Sequence, residues 1–251
     1  VIDPGTEAIK KTEYYPNGDT IEFEYGRRVG AKFMGLEGQT LAQLGTLGEA
    51  WGLAPSDKAI VFLDNHDKQR GHGGGGTYLT HKDGSLYNLA TVFMLAYPYG
   101  YPQVMSSYAF DNSDQGPPSD AQGRTQGVYA TGQLRCFAEW ICEHRRPAIA
   151  TMVRFRNATA ADFRLTDWWS NGRNQIAFGR GDRGFVVINR EATPLNHTFS
   201  TSLAPGRYCD ILHSPLNQPC AAPLTVDSQG QFTATVASLE AIALLPDASS
   251  S

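Results

Sequence analysis

The chain has 251 residues, of which 41% are hydrophobic and 18% are charged, so it can form one large or two ordinary globular domains. Its net charge of −4 lacks the basic excess typical of nucleic-acid binding, and no apolar run is as long as a membrane span. We therefore expect a globular protein that has neither nucleic acid nor a membrane as its partner.

The first elements are predicted from apolar spacing. Residues 1 to about 20 are rich in turn formers and are predicted to be loop. Alternating apolar and charged residues predict a short strand over Ile21–Tyr25, and leucines at helical spacing predict a helix over Leu41–Trp51. The unbroken apolar run Ala59–Leu63 predicts a strand buried on both faces, as in a parallel sheet.

The alternation of strand and helix continues to about residue 158. A long apolar face predicts a helix over Ser85–Tyr97, followed by a strand over Gln103–Tyr108. Residues 111–133 carry many glycines, prolines and small polar residues and are predicted to be a long surface loop. A helix is predicted over Glu143–Arg156, with Pro147 tolerated in its first turn.

Beyond Trp168 the pattern changes to short β-rich runs separated by turn signals. These runs are Gln175–Phe178, Gly184–Asn189, Thr198–Ser202, Gly206–Leu212, Leu224–Val226, Gln231–Val236 and Glu240–Leu245. Short strands with regular turns predict an antiparallel sandwich. We expect the domain boundary near residue 163, so the fold class is α/β followed by all-β.

The four cysteines fall into two local pairs, Cys136 with Cys142 and Cys209 with Cys220. Zinc sites usually show the tighter CxxC spacing, so we do not expect a metal here. Two short loops closed by disulfides would be typical of a secreted protein.

Polar side chains that could carry chemistry follow the buried strand Ala59–Leu63. The cluster Asp64-Asn-His-Asp67 lies where α/β enzymes place catalytic groups, at the carboxyl end of a parallel strand. The residues alone leave other roles open: Asp67 could cap the next segment or pair with Arg70, and His66 could be packed at the strand end. The glycine-rich loop at 71–76 is not followed by the GK[ST] of a phosphate loop, so nucleotide binding is excluded.

The FLDNHD motif and the QRGHGGGG that follows resemble the seventh-strand motif of the animal-type α-amylases, a branch of glycoside hydrolase family 13. Five further segments resemble the same branch in its order: Tyr97–Gly100, Val104–Tyr108, Trp140–His144, Met152–Asn157 and Asn174–Arg180. The resemblance implies that residues 1–162 are the C-terminal part of a catalytic (β/α)₈ TIM barrel, strands six to eight. Residues 163–251 would then be an antiparallel Greek-key β-sandwich.

The resemblance also implies site residues. Asp67 matches the third carboxylate of the family, which holds hydroxyls of the sugar that is cleaved. His66 and His72 match saccharide contacts, although an exposed loop role for His72 stays open. The segment Val1-Ile2-Asp3 would directly follow the catalytic glutamate of strand five, and Ile2 is expected to contact substrate. The nucleophile and the acid/base would precede Val1, so the chain by itself is expected to be inactive.

Ion binding follows the resemblance only in part. Asn65 matches a chloride ligand of animal-type members, but Gln103 stands where their basic ligand is expected. A neutral amide does not supply the charge that holds an anion, so chloride binding is doubtful and Asn65 would instead orient Asp67. Calcium is expected in the intact parent, with ligands outside this chain and no metal in this segment.

The sequence thus predicts the C-terminal portion of a secreted, monomeric α-amylase. The parent would cleave internal α-1,4-glucosidic bonds of a starch-like α-glucan with retention of configuration. The resemblance supports the disulfides Cys136–Cys142 and Cys209–Cys220. The alternative is a non-catalytic glucan-binding protein, and the sequence upstream of Val1 would separate the two hypotheses.

Overall fold

The computed structural model describes residues 8–72, 78–129, 136, 139–214 and 218–247. Its first part contains a parallel sheet of three short strands in the order β1 (Thr20–Ile21), β2 (Ala59–Val61) and β3 (Tyr101–Pro102). Three helices accompany the sheet: α1 (Phe23–Met34), α2 (Ser85–Ala96) and α3 (Pro147–Ala158). This succession agrees with the predicted strand–helix units, and β2 is the central strand.

Helix α1 was not predicted from the sequence. The prediction of a strand over Ile21–Tyr25 is wrong beyond Ile21, because α1 begins at Phe23. Three side chains at four-residue spacing are fully buried on α1: Tyr25, Val29 and Phe33. A Cβ atom on Gly26 would lie 2.5 Å from the Phe62 carbonyl oxygen, so glycine lets α1 pack directly against the chain that leaves β2.

Other predicted elements differ from the structure in type or position. Leu41–Trp51 forms two 3₁₀ turns, Leu41–Thr46 and Glu49–Trp51, which are separated around Gly48 with its φ of 147°. The prediction of a strand over Gln103–Tyr108 is wrong, because β3 covers Tyr101–Pro102 and ends before Gln103. Helix α2 forms as predicted, and α3 begins at Pro147, after the separate 3₁₀ turn Glu143–Arg145. Further 3₁₀ turns cover Lys11–Glu13, Leu36–Gly38, Ser56–Lys58, Lys68–Arg70, His81–Asp83 and Glu143–Arg145.

The second part is all-β, as predicted. Its strands are β4 (Leu165–Ser170), β5 (Gln175–Arg180), β6 (Gly184–Asn189), β7 (Leu195–Ser200), β8 (Gly206–Asp210), β9 (Pro223–Val226), β10 (Gln231–Val236) and β11 (Glu240–Pro246). Six of them form an antiparallel sheet in the order β4-β5-β6-β11-β8-β9, and β7 pairs antiparallel with β10. Strand β4 is an addition to the predicted runs.

The six-stranded sheet lies between two apolar cores. One face of β5 and β6 contributes Phe178, Val186 and Ile188 to a core shared with the three helices. Phe185 and Val187 on the other face pack with β7 and β10. Every position of β5 and β6 is therefore buried. Because the first core draws residues from both parts of the chain, the boundary at residue 163 stays a prediction.

Arg180 links the two parts of the chain through backbone carbonyl groups. Its buried guanidinium donates to the carbonyl oxygens of Ala96 (2.7 Å), Asp162 (2.7 Å) and Thr159 (3.2 Å). These acceptors lie at or just beyond the C-terminal ends of α2 and α3, where unpaired carbonyl groups attract a cation. Arg180 thus fixes strand β5 against both helices.

Both predicted disulfides, Cys136–Cys142 and Cys209–Cys220, are formed. Among the described residues, no helix has the length and apolar character needed to span a membrane.

Candidate active site

Asp67 and His66 lie in the turn that follows the central strand of the parallel sheet. The chain leaves β2 at Val61, passes through buried Leu63 and Asp64, and then surfaces. The side chain of His66 is 73% exposed and that of Asp67 is 48% exposed, with 3.5 Å between His66 Nε2 and Asp67 Oδ1. A packed histidine at the strand end, the alternative for His66, does not fit this exposure.

The two structural alternatives for Asp67 do not fit its environment either. Asp67 precedes the 3₁₀ turn Lys68–Arg70, but its side chain makes no capping hydrogen bond. Within the described part of the chain, Asp67 also makes no ion pair with Arg70. The Arg70 guanidinium instead lies 4.0 Å from the ring centre of Phe110 and donates to the Ser113 carbonyl oxygen at 3.2 Å. The Asp67 carboxylate is therefore available to a ligand.

The backbone of the same turn connects two predicted saccharide contacts. The His72 amide donates to the Asp67 carbonyl oxygen at 2.9 Å, and the His72 side chain is exposed. Ile2 lies outside the described residues, as do residues 73–77 of the glycine loop. The substrate roles of His66, His72 and Ile2 stay predictions.

Asn65 helps to close the turn that carries Asp67, and Gln103 supplies no positive charge for an anion. Asn65 Oδ1 accepts from the Lys68 backbone amide at 2.9 Å, so its side-chain oxygen closes the turn that carries Asp67. The side chain of Gln103 is exposed. Its backbone amide donates to the Val61 carbonyl oxygen at 2.8 Å, which extends the pairing of β2 with β3. Among the described residues, no cluster of three or more His, Cys, Asp or Glu side chains could hold a metal ion.

A buried polar network beneath the turn was not predicted from the sequence. Asp64 is 2% exposed, and it accepts from Gln69 Nε2 at 2.7 Å and from the Tyr87 hydroxyl at 3.2 Å. Burial raises the pKa of Asp64 to about 7, aided by the charge of Glu143 and opposed by the two hydrogen bonds. The apolar run before Asp64 was a signal of its burial. The contact of Asp64 with Tyr87, 23 positions away, has no signal in the local sequence.

Glu143 is the second buried carboxyl group of the network. Its Oε2 accepts from the Ser107 backbone amide at 2.7 Å, and its Oε1 lies 3.6 Å from His81 Nδ1. Burial lowers the pKa of His81, and the charge of Glu143 opposes that shift. The network therefore connects the turn after β2 with segments that lead into α2 and α3.

A family model, related sequences and solved structures all identify the same family. Residues 168–247 match the family model described as the α-amylase C-terminal all-β domain. The chain is 45% identical over 222 residues to pancreatic α-amylase of Rattus norvegicus, covering 84% of this chain and 43% of that protein. It is also 45% identical over 238 residues to an α-amylase of Streptomyces violaceus, covering 95% of this chain and 38% of that protein.

Solved structures agree with these sequence matches. The crystal structure of α-amylase I from Eisenia fetida superposes with a TM-score of 0.88 at 39% identity, over 98% of this chain and 52% of that chain. A glutamate-to-glutamine mutant of that enzyme in complex with maltohexaose superposes with a TM-score of 0.88 at 40% identity. The chain spans about two fifths of the length of the curated relatives it matches. By sequence and by fold, the chain belongs to the α-amylase family and corresponds to its C-terminal portion.

Proposed function

We propose that this chain is the C-terminal portion of a secreted α-amylase that hydrolyses internal α-1,4-glucosidic bonds of starch and glycogen with retention of configuration. Relatives that are 45% identical are named α-amylases, and a similar solved structure is a complex with maltohexaose. The observation that carries the proposal is the exposed Asp67 carboxylate, 3.5 Å from His66 at the end of the central parallel strand and unused by a cap or by Arg70.

In this mechanism Asp67 binds the sugar ring that is cleaved. A retaining glycosidase uses a nucleophilic carboxylate and an acid/base carboxyl, and hydrogen bonds to ring hydroxyls strengthen as the oxocarbenium-like transition state forms. A carboxylate acceptor at Asp67 would therefore favour the transition state over the ground state. His66 would donate an imidazole N–H to a neighbouring sugar hydroxyl, and His72 would contact the glucan from the glycine loop.

The two remaining carboxyl groups of the mechanism are assigned to the parent outside this chain. Ile2 would lie next to the acid/base glutamate and contact the substrate. Calcium ligands are likewise assigned outside this chain. A chloride site is not supported, since Gln103 carries no charge. The two disulfides support export, and we propose a monomer.

The test compares the full-length parent with the 251-residue chain on a maltooligosaccharide. We expect the parent to release shorter products that have the α configuration, and the 251-residue chain to release none. Proton NMR during the first turnovers measures the configuration of the products. A parent that binds glucan without releasing reducing ends would favour a glucan-binding protein instead. Products of the β configuration would contradict retention.

A further inference from the structure

We propose that Gln69 is a positioning residue, whose side-chain amide fixes the turn that presents Asp67 and His66 to substrate. The proposal rests on the function proposed above for Asp67. Gln69 lies in the 3₁₀ turn Lys68–Arg70, which begins directly after Asp67. A displacement of the Gln69 backbone would therefore be passed to Asp67 through this short turn.

Both hydrogens of the Gln69 amide have acceptors. Nε2 donates to Asp64 Oδ2 and to Ser107 Oγ, each at 2.7 Å. Asp64 belongs to the chain leaving β2, and Ser107 lies beyond β3, so the amide spans the carboxyl ends of two adjacent parallel strands. Ser107 and Asp64 are each no more than 2% exposed, so both acceptors are buried, whereas Gln69 itself is half-buried.

The two acceptors of Gln69 are themselves held by other elements. The Tyr87 hydroxyl on α2 donates to Asp64 Oδ1 at 3.2 Å, and the Ser107 amide donates to Glu143 Oε2 at 2.7 Å. Tyr87 is 1% exposed and Glu143 is fully buried. The turn with Asp67 is thus tied through one amide group to α2 and to the segment that precedes α3.

An amide suits this position better than a charged side chain. Asp64 and Glu143 are two buried carboxyl groups that repel each other when both are ionised, and burial raises the pKa of Asp64 to about 7. The neutral amide of Gln69 donates to Asp64 and to Ser107, whose backbone amide binds Glu143, so it links the two carboxyl groups without adding charge. A carboxylate at position 69 would remove both donors and add a third negative charge beside two buried carboxyl groups.

The test uses Gln69→Glu and Gln69→Met in the full-length parent. Gln69→Met removes the donors and keeps the approximate size, and Gln69→Glu also adds a group that can be neutralised by acid. Gln122→Glu, on the exposed segment after α2, is the control for the charge change. Because a displacement of about 1 Å at a catalytic group can cost about 100-fold in rate, we expect a 10- to 100-fold loss of kcat for both Gln69 variants.

The pH profile separates positioning from general destabilisation. For Gln69→Glu we expect the loss of kcat to be several-fold smaller at pH 5.5 than at pH 8, and for Gln69→Met we expect the same loss at both pH values. The other titratable or charged groups around the network are common to all variants: Tyr87 and His81, which contact the carboxyl groups, and Lys82, Asp83 and Arg146, whose charges act on His81. Comparing the two Gln69 variants at each pH therefore cancels their titration.

Each outcome decides the proposal. It is overturned if both Gln69 variants keep kcat within twofold of the unmutated parent, or if activity falls only in proportion to the folded fraction measured by circular dichroism. It is also overturned if Gln69→Glu shows no recovery at pH 5.5. Asp67→Asn, measured alongside, tests the proposed function separately: an active Asp67→Asn enzyme refutes the role of Asp67, whereas inactive Asp67→Asn with normal Gln69 variants refutes only the positioning role.

Discussion

Asp64 is a buried carboxyl group whose protonation is linked to folding. Its pKa in the folded chain is about 7, above the ordinary value of 3.8, chiefly because burial penalises the charged form. The folded state therefore holds a proton on Asp64 that the unfolded chain releases. The stability that this protonation contributes is fully present below about pH 4 and is lost as the pH rises towards 7. The shift corresponds to a contribution on the order of 4 kcal/mol.

Asp64→Asn removes this titration while keeping an acceptor for Gln69. We expect the unfolding free energy of the unmutated chain to fall from pH 5 to pH 8 by on the order of 1 to 3 kcal/mol more than that of Asp64→Asn. Urea unfolding at the two pH values measures the difference. Asp57→Asn, at an exposed position, is the control and should leave the pH dependence unchanged. Parallel pH profiles for Asp64→Asn and the unmutated chain would show that Asp64 titrates normally.

At this scale the sequence predicts individual groups better than their partners. The cluster Asp64–Asp67 was placed at a strand end by the apolar run before it, and the structure has it there. The hydrogen bond of Gln69 with Ser107 joins residues 38 positions apart, and the buried one between Ser107 and Glu143 spans a further 36. No local periodicity signals such contacts, because they arise only when two parallel strands lie side by side.

At the scale of elements, Arg180 holds β5 against the ends of two helices. Burial lowers the pKa of Arg180 to about 10, so the side chain is still a cation at neutral pH. Arg180→Met would leave the carbonyl groups of Ala96, Thr159 and Asp162 buried without this donor. We expect a loss of about 3 kcal/mol or more of unfolding free energy.

Arg183→Met, three residues away on the exposed turn after β5, is the matched control and should change the unfolding free energy by less than about 0.5 kcal/mol. Urea titrations of both variants give the comparison. Equal stability of Arg180→Met and Arg183→Met would mean that the carbonyl groups find other partners and that the link between strand and helices carries little energy.

Prediction of elements succeeded where the periodicity was unambiguous. β6 and β10 have the predicted bounds, because buried runs and alternation both mark strands. α1 was missed since the alternation of Ile21, Phe23 and Tyr25 imitates a strand, while its true signal is the four-residue spacing of buried side chains. β4 was missed because all six of its residues are half-buried, so it lacks a clear two-residue pattern.

At the scale of the whole molecule, the order of elements was predictable and the shared core was not. The change from strand–helix units to regular short strands located the all-β part. The burial of both faces of β5 and β6 depends on the helices packing against one face, which a division of the sequence into two parts does not anticipate.

Anion dependence is a property of the whole parent enzyme. Gln103 is exposed beside the end of β3 and supplies a dipole where a full charge would be needed to hold chloride. We expect kcat of the parent to be nearly independent of chloride, and Gln103→Arg to introduce dependence. The measurement compares kcat with and without chloride at constant ionic strength. Many-fold activation of the unmutated parent would show that another residue supplies the charge.

The role of Asp67 is tested most directly by kcat of the Asp67→Asn variant of the full-length parent, with Asp114→Asn on the exposed 111–129 segment as control. Asparagine keeps the size of the side chain and removes the charge that strengthens hydrogen bonds to the sugar in the transition state. We predict that kcat falls on the order of 100-fold or more, with a smaller change in KM and an unchanged unfolding midpoint. A kcat of Asp67→Asn within a few-fold of the unmutated enzyme would contradict the account.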